Sequence, residues 1–324
     1  MRKFQIAVTF LIAALAGSFL SGPAFAAYPS KAIQFIIPFG AGGGADIEGR
    51  ILAKGMSKVL GVPVVPINKV GGGGAVTYTY VKNARPDGYT IAWNSTSILT
   101  STNIGNVAFS YKAMDHVGRV EVQSLPFVVK STSKWKTFEN FVSDCHENPG
   151  KLKVANASIG SSTHLGAVMM MNAAGCEVIH LPVGIKRRNA SVLSGEADAM
   201  VAPLTGAIRL ARAGKMRILS IPGSKRNPVI PDVPTMGELG YDAAMDFFRG
   251  LSVPKGTPHL VKAILADALM RSARSKKFTA FAKKKGFTIA PMDSESFSAY
   301  LAKQNKVITA IMKKAGIYQS KRKK

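Results

Sequence analysis

From Ala32 onward the chain alternates two hydrophobic rhythms. Short runs of β-branched and other apolar residues end in Gly-, Ser- or Asn-rich turns, and longer segments follow in which apolar residues recur every three to four positions. The first rhythm suits buried strands and the second amphipathic helices, so the alternation predicts α/β units. Ala32 to Phe39 reads as a strand, Asp46 to Leu60 as a helix, Val62 to Ile67 as a strand and Ala75 to Ala84 as a helix. The turn Arg85-Pro86-Asp87-Gly88 precedes a strand over Tyr89 to Trp93. Glu121 to Lys130 reads as one long strand that carries the chain through Leu125-Pro126 into a new region.

The grammar then repeats, with a helix over Thr137 to Glu147, a strand over Lys153 to Ala155, a helix over His164 to Ala174 and a strand over Val178 to Leu181. Arg188 to Ser194, Ala197 to Val201, Thr205 to Ala213 and Met216 to Ile221 extend it into a second, parallel sheet. Phe247 to Val253 reads as a strand returning to the first region, ahead of helices over Pro258 to Ser272, Lys277 to Lys285 and Ser294 to Ala315. The expectation is a two-lobed α/β protein of mainly parallel sheets flanked by helices. Residues 27–125 and 248–324 would form one discontinuous lobe and 126–247 the other. The length agrees, since close to 300 residues exceed what one core comfortably serves. Two crossings between such lobes create a hinged cleft, where ligands bind in this architecture.

The N-terminus lies outside this grammar. Arg2 and Lys3 precede an apolar run from Ile6 to Leu20 and then Ala24-Phe25-Ala26, the pattern of a secretory signal peptide cleaved after Ala26. A retained anchor is the alternative. No later run approaches the roughly 20 apolar residues that span a bilayer.

Charge changes the picture further. The chain carries a formal +25, or +23 once Arg2 and Lys3 are removed, and such a field favours anionic ligands and surfaces. The basic residues are dispersed, with short clusters at Lys186-Arg187-Arg188, Lys283-Lys284-Lys285 and the Lys321 to Lys324 tail. They read chiefly as a solvated surface. A secreted protein that binds polyanions or membrane surfaces is the alternative function. Cys145 and Cys176 could form one bridge after export or remain two thiols.

Chemistry concentrates in loops after strands. In Pro38-Phe39-Gly40-Ala41-Gly42-Gly43-Gly44-Ala45-Asp46 the glycines let backbone N–H groups turn inward, and the following helix adds a partial positive charge. The loop can receive an anion, or it can be a tight turn capped by Asp46. Gly40 to Ala45 also fits a dinucleotide fingerprint, but Asn68-Lys69 ends the next strand and supplies no acid for a ribose. Asn94-Ser95-Thr96-Ser97 and Gly71 to Gly74 are further small, polar loops. Ser158-Ile159-Gly160-Ser161-Ser162-Thr163-His164 opens a helix in the other lobe and could face the first loop across the cleft. His116, His146, His164, His180 and His259 show no metal-ligand spacing, and no catalytic motif appears. No catalytic residue, metal or cofactor is expected.

With those residues in view, the chain resembles the solute-binding proteins of tripartite tricarboxylate transporters, also called Bug receptors. The likeness runs from about Tyr28 to Ile317. It rests on Tyr28-Pro29-Ser30-Lys31, the Pro38 to Asp46 loop, Arg85-Pro86-Asp87-Gly88-Tyr89-Thr90, Asn148-Pro149-Gly150-Lys151-Leu152, Gly160-Ser161-Ser162-Thr163-His164-Leu165, Pro231 to Thr235 and Pro254-Lys255-Gly256-Thr257-Pro258.

The resemblance implies a type II periplasmic binding fold, a monomer that closes on a small carboxylate and delivers it to membrane permease subunits, with no nucleic acid partner. It implies one wall made by the amides of Phe39, Gly40, Ala41, Gly42, Gly43 and Gly44 and the side chain of Asp46, with Ser95 and Thr96 nearby. Gly160, Ser161 and Ser162 would face them, and Asp198 and Phe247 match cleft-lining positions. Relatives usually carry Pro-Tyr-Lys-Gly-Gly where this chain has Pro182-Val183-Gly184-Ile185-Lys186, followed by Arg187 and Arg188. Lys186 or Arg187, if turned inward, would pair a second carboxylate. If turned outward, either is surface or a permease contact. Ser158 replaces a common glycine.

Overall fold

The computed structural model describes residues 28–320; the expected signal peptide and the Lys321–Lys324 tail lie outside the described residues. The body begins at Lys31. It opens with β1 (Ile33–Ile37), α1 (Gly44–Leu60), β2 (Val64–Asn68), α2 (Ala75–Lys82), β3 (Thr90–Ser95), α3 (Ser97–Ile104) and β4 (Met114–Gln123). The chain continues as β5 (Phe127–Lys130), α4 (Phe138–Glu147), β6 (Lys153–Asn156), α5 (Ser162–Ala173), β7 (Ile179–Pro182), α6 (Gly184–Ser194), β8 (Ala199–Val201), α7 (Leu204–Arg212) and β9 (Met216–Ser220). It ends with β10 (Phe247–Pro254), α8 (His259–Ala273), α9 (Lys276–Lys285), β11 (Thr288–Met292) and α10 (Ser294–Lys314).

These strands form two sheets, one in the order β11-β4-β10-β3-β1-β2 and one in the order β7-β6-β8-β5-β9. The sheets are mixed rather than mainly parallel. β1 pairs parallel with β2 and β3, and β6 pairs parallel with β7 and β8. β5 runs antiparallel to β8 and β9, and β10 runs antiparallel to β3 and β4. The cause is the crossing itself. β4 and β9 leave their sheets at the interlobe end, so β5 and β10 enter from that end and run against strands that finish there. The expected single strand from Glu121 to Lys130 is two, β4 and β5, in different sheets. Pro126 offers no N–H to a ladder at the junction.

Periodicity explains the helices. α1 buries Ala45, Gly49, Leu52, Ala53 and Met56, while Arg50 and Lys54 lie exposed, and Gly61 ends it in the left-handed conformation at φ 72°. α4 starts with a capping box between Thr137 and Asn140. α5 has no polar face because residues Ser162 to Met171 are all buried. It packs on β6, β7 and β8, and also meets α3 of the other lobe. Strand alternation divides the core: Phe127 and Val129 join the cluster that includes Trp135, Phe138 and Phe141, while Val128 points to a second cluster with Met200, Leu204 and Ile208. Cys145 and Cys176 are buried, unbridged thiols. Among the described residues no helix is long and apolar enough to cross a membrane.

The lobes are closed on each other. Thr100 Oγ1 donates to the Gly160 carbonyl at 2.6 Å, and Asn106 Nδ2 donates to the carbonyls of Gly72 and Ile159 at 2.9 and 3.2 Å. Thr205 Oγ1 donates to Gln123 Oε1 at 3.0 Å. Gly73, at φ +66°, approaches so closely that a Cβ there would lie 2.8 Å from the Gly160 carbonyl carbon.

Candidate functional site

The strands that end at the interlobe face deliver their following loops to one place. β1 leads to the glycine loop and α1, β6 leads to Ala157–Ser161 and α5, and β8 leads to Pro203 and α7. Each helix leaves its first amides without intrahelical acceptors. Those of Gly44 and Ala45 in α1 and of Ser162 and Thr163 in α5 border a common inner cavity of about 30 Å³ between the lobes. Phe39, Ala157, Ser161, Ile185, Pro203 and Phe247 complete much of its wall. Two helix N-termini thus converge on one small space from opposite sides, an arrangement suited to an anion.

Two guanidiniums share that space. Arg249 of β10 is 1% exposed, with Cζ 4.8 Å from the centroid of the Phe247 ring. It pairs with Glu48 of α1, and its Nε lies 3.4 Å from Glu121 Oε1. Burial, with Glu48 beside it, pushes the Glu121 carboxyl well above its ordinary range. Gln123 Nε2 donates to Glu121 at 3.0 Å and to Glu48 at 3.3 Å. Arg188 of α6 is 4% exposed. Burial pushes its guanidinium down to about 10, which leaves it a cation at pH 7.

Phe39, Ala157 and Ile185 also line an outer cavity of about 400 Å³, bounded further by Pro38, Gly40, Val70, Ser158 and Val183. Its wall is mostly carbon. Lys186 and Arg187 stand there, and Arg187 Nη2 is held by exposed Glu196 at 2.7 Å.

The structure separates the residues expected from sequence into three groups. Phe39, Gly44, Ser161, Ser162 and Phe247 line the inner cavity, and Gly40, Lys186 and Arg187 line the outer one. Asp46 stands behind the glycine loop: its Oδ2 accepts from Gly42 N at 3.0 Å, and its Oδ1 accepts from Asn68 Nδ2 at 2.9 Å and Arg50 Nε at 2.8 Å. Ala41 and Gly42 form the exposed turn of that loop, and Gly43 packs under Ile185. Ser95 and Thr96 are fully buried and tie the end of β3 to the interlobe strand. Thr96 Oγ1 accepts from Phe248 N and donates to the Asp246 carbonyl, each at 3.1 Å. Gly160 is the lobe contact already described.

Asp198 is not brought to the cleft. Its Oδ2 accepts from Lys153 N at 2.8 Å, at the start of β6. Three residues of strand, roughly 10 Å, separate that point from the cavity end. Arg188, Arg249 and Thr163 line the inner cavity without having been expected there. A signal existed for Arg188, because Ile185, Arg188 and Val192 share one helical face.

The tripartite tricarboxylate transporter family receptor profile matches residues 49–317. A UPF0065 protein from the tcbD-tcbE intergenic region of Pseudomonas sp. (strain P51) is 31% identical over 240 residues, 72% of this chain and 71% of that protein. The solved structure of the periplasmic binding protein BugD superposes with a TM-score of 0.86 at 29% identity, covering 90% of this chain and 99% of BugD. MatC from Rhodopseudomonas palustris, solved with bound malate, superposes with a TM-score of 0.83 at 23% identity, covering 88% of this chain and 99% of MatC. At that identity MatC shows the shared two-lobed fold alone.

Proposed function

Because the chain belongs to the tripartite tricarboxylate transporter receptor family, we propose that it is a periplasmic, monomeric solute receptor. It captures one small carboxylate-bearing molecule in the interlobe cleft and delivers it to the permease subunits of such a transporter. The observation that carries this reading is the inner cavity, where the α1 and α5 N-termini from opposite lobes and two buried guanidiniums face one space.

A carboxylate entering this space meets donors that are already in place. Closure then stabilises the ligand-bound state in proportion to the ligand's preference for the closed form. The binding residues Phe39, Gly40, Gly44, Ser161, Ser162 and Phe247 act on the ligand directly. Ala41, Gly42, Gly43, Asp46, Ser95, Thr96 and Gly160 act by shaping the walls and their contact. Nothing in this role requires turnover or a cofactor.

The test is native mass spectrometry of the mature protein, titrated with a panel of mono-, di- and tricarboxylates that includes malate. The expected result is a discrete one-to-one adduct whose ligand is recovered chemically unchanged. No adduct anywhere in the panel would overturn the reading and favour the polyanion-binding alternative.

A further inference from the structure

We propose that Arg188 is the charge-reading residue of the inner cavity: the ligand enters carboxylate-first, and one of its carboxylates completes an ion pair with this guanidinium. The inference rests on the receptor reading above and assigns to a side chain what the helix amides would otherwise do alone.

In a closed space each buried charge needs a partner. Arg188 Nε is buried without a hydrogen-bond partner, and among the described residues no acid forms an ion pair with Arg188. Its neighbours along α6 differ: Lys186 and Arg187 line the outer cavity, and Arg187 is already paired with Glu196. The second guanidinium is also compensated. Arg249 is paired with Glu48 and also lies beside Glu121. Arg249 is therefore compensated by acids in contact with it, whereas the Arg188 guanidinium brings its positive charge to the cavity without an acid of its own.

Keeping such a charge out of water is costly unless a partner arrives. The space it borders offers what a carboxylate needs. Ser162 Oγ and Arg249 Nη1 are buried and have no hydrogen-bond partner, and Ser162 and Arg249 both line the inner cavity with Arg188. A carboxylate held there can accept from two guanidiniums, a hydroxyl and the amides of two helices. The rest of the molecule passes between Phe39, Ala157 and Ile185, which both cavities share, into the outer cavity. One anionic group is read in this way, and a neutral amide of the same shape is rejected because it leaves Arg188 unpaired.

The experiment uses acetate and acetamide as probes on the whole mature protein, at constant ionic strength, with the urea unfolding midpoint as readout. Acetate is expected to raise the wild-type midpoint, and acetamide is not. Arg188→Met, which removes a buried unpaired charge, is expected to begin with a higher midpoint than wild type. Its half-effective acetate concentration should rise about 30-fold or more, the loss typical of truncating one partner of a buried charge pair. Arg188→Lys, which keeps the charge, should retain part of the acetate response and guards against a folding defect in the Met variant. An equal acetate response in Arg188→Met and wild type would overturn the assignment. That result differs from failure of the receptor reading, in which no carboxylate of the mass-spectrometry panel binds wild type.

Discussion

Asp46→Ala separates a residue that touches ligand from one that holds a wall in shape. Asp46 is 4% exposed and lies in the first turn of α1, where its carboxylate accepts from Gly42 N, Asn68 Nδ2 and Arg50 Nε. Arg50 is half exposed, so its pair contributes about 0–1 kcal/mol. The other two are hydrogen bonds to a buried charged acceptor, worth about 1.5–3 kcal/mol each. Both fall toward the low end, because Gly42 is exposed to water and Asn68 Nδ2 keeps the Phe39 carbonyl at 2.8 Å. The sum is about 3–4 kcal/mol of stability.

Binding should suffer separately. Without Asp46 the Gly42 turn loses its side-chain tie and the loop keeps only its backbone bonds and the Asn68 bond to the Phe39 carbonyl, so ordering one or two of its residues on binding costs about 1–2 kcal/mol apiece. Affinity for the selected carboxylate should fall about tenfold to a hundredfold, measured by isothermal titration calorimetry, alongside a lower urea midpoint. Asp46→Asn, which keeps one acceptor, should lie between. Unchanged stability and affinity in Asp46→Ala would refute the positioning argument. Lost affinity with intact stability would instead mean that Asp46 contacts the ligand.

Three further perturbations probe the rest of the account. Gly73→Ala places a Cβ against the Gly160 backbone at positive φ, so it should hold the cleft open; small-angle scattering should show no ligand-dependent compaction, where wild type compacts. Glu48→Gln strips Arg249 of its closest charge partner and should cost about 3–5 kcal/mol in urea unfolding, whereas Glu121→Gln leaves that pair in place and should cost less. Burial lowers the His116 pKa to about 4, with Nδ1 2.8 Å from Ser252 Oγ. The unfolded chain therefore takes up this proton first, and about 3 kcal/mol of stability is lost as pH falls from about 6.5 to about 4. His116→Gln should flatten the urea midpoint across that window, and an unchanged acid slope would exclude His116 as the cause.

Much of the fold was legible because strands and helices announce themselves by period. The Gly40–Gly44 run marked a strand-to-helix turn, and Phe247 marked the returning strand. What periodicity could not show was strand direction. Whether β5 and β10 run with or against their neighbours depends on the end from which the crossing enters, and no residue encodes that locally. β11 was missed because its run is short and Pro291 breaks the strand pattern.

The site was legible where backbone chemistry makes it, as at Gly44 and Ser162, and less so where tertiary packing decides. Lys186, Arg187 and Arg188 look alike in sequence, but α6 turns only Arg188 into the inner cavity. Arg249 carried a quieter signal, one cation inside the otherwise apolar Phe247–Val253 strand. Asp198 illustrates the opposite case. A residue suited to a cleft by motif is occupied by the Lys153 backbone at the far end of the sheet.

A crystal structure of the protein grown with the carboxylate that the titration selects tests the central claim most directly. The account predicts density for one carboxylate between the first amides of α1, at Gly44 and Ala45, and those of α5, at Ser162 and Thr163, with Arg188 in contact. A ligand bound elsewhere, as in the separate cavity lined by Gln123, Ser124, Lys225 and Asp246, would contradict it.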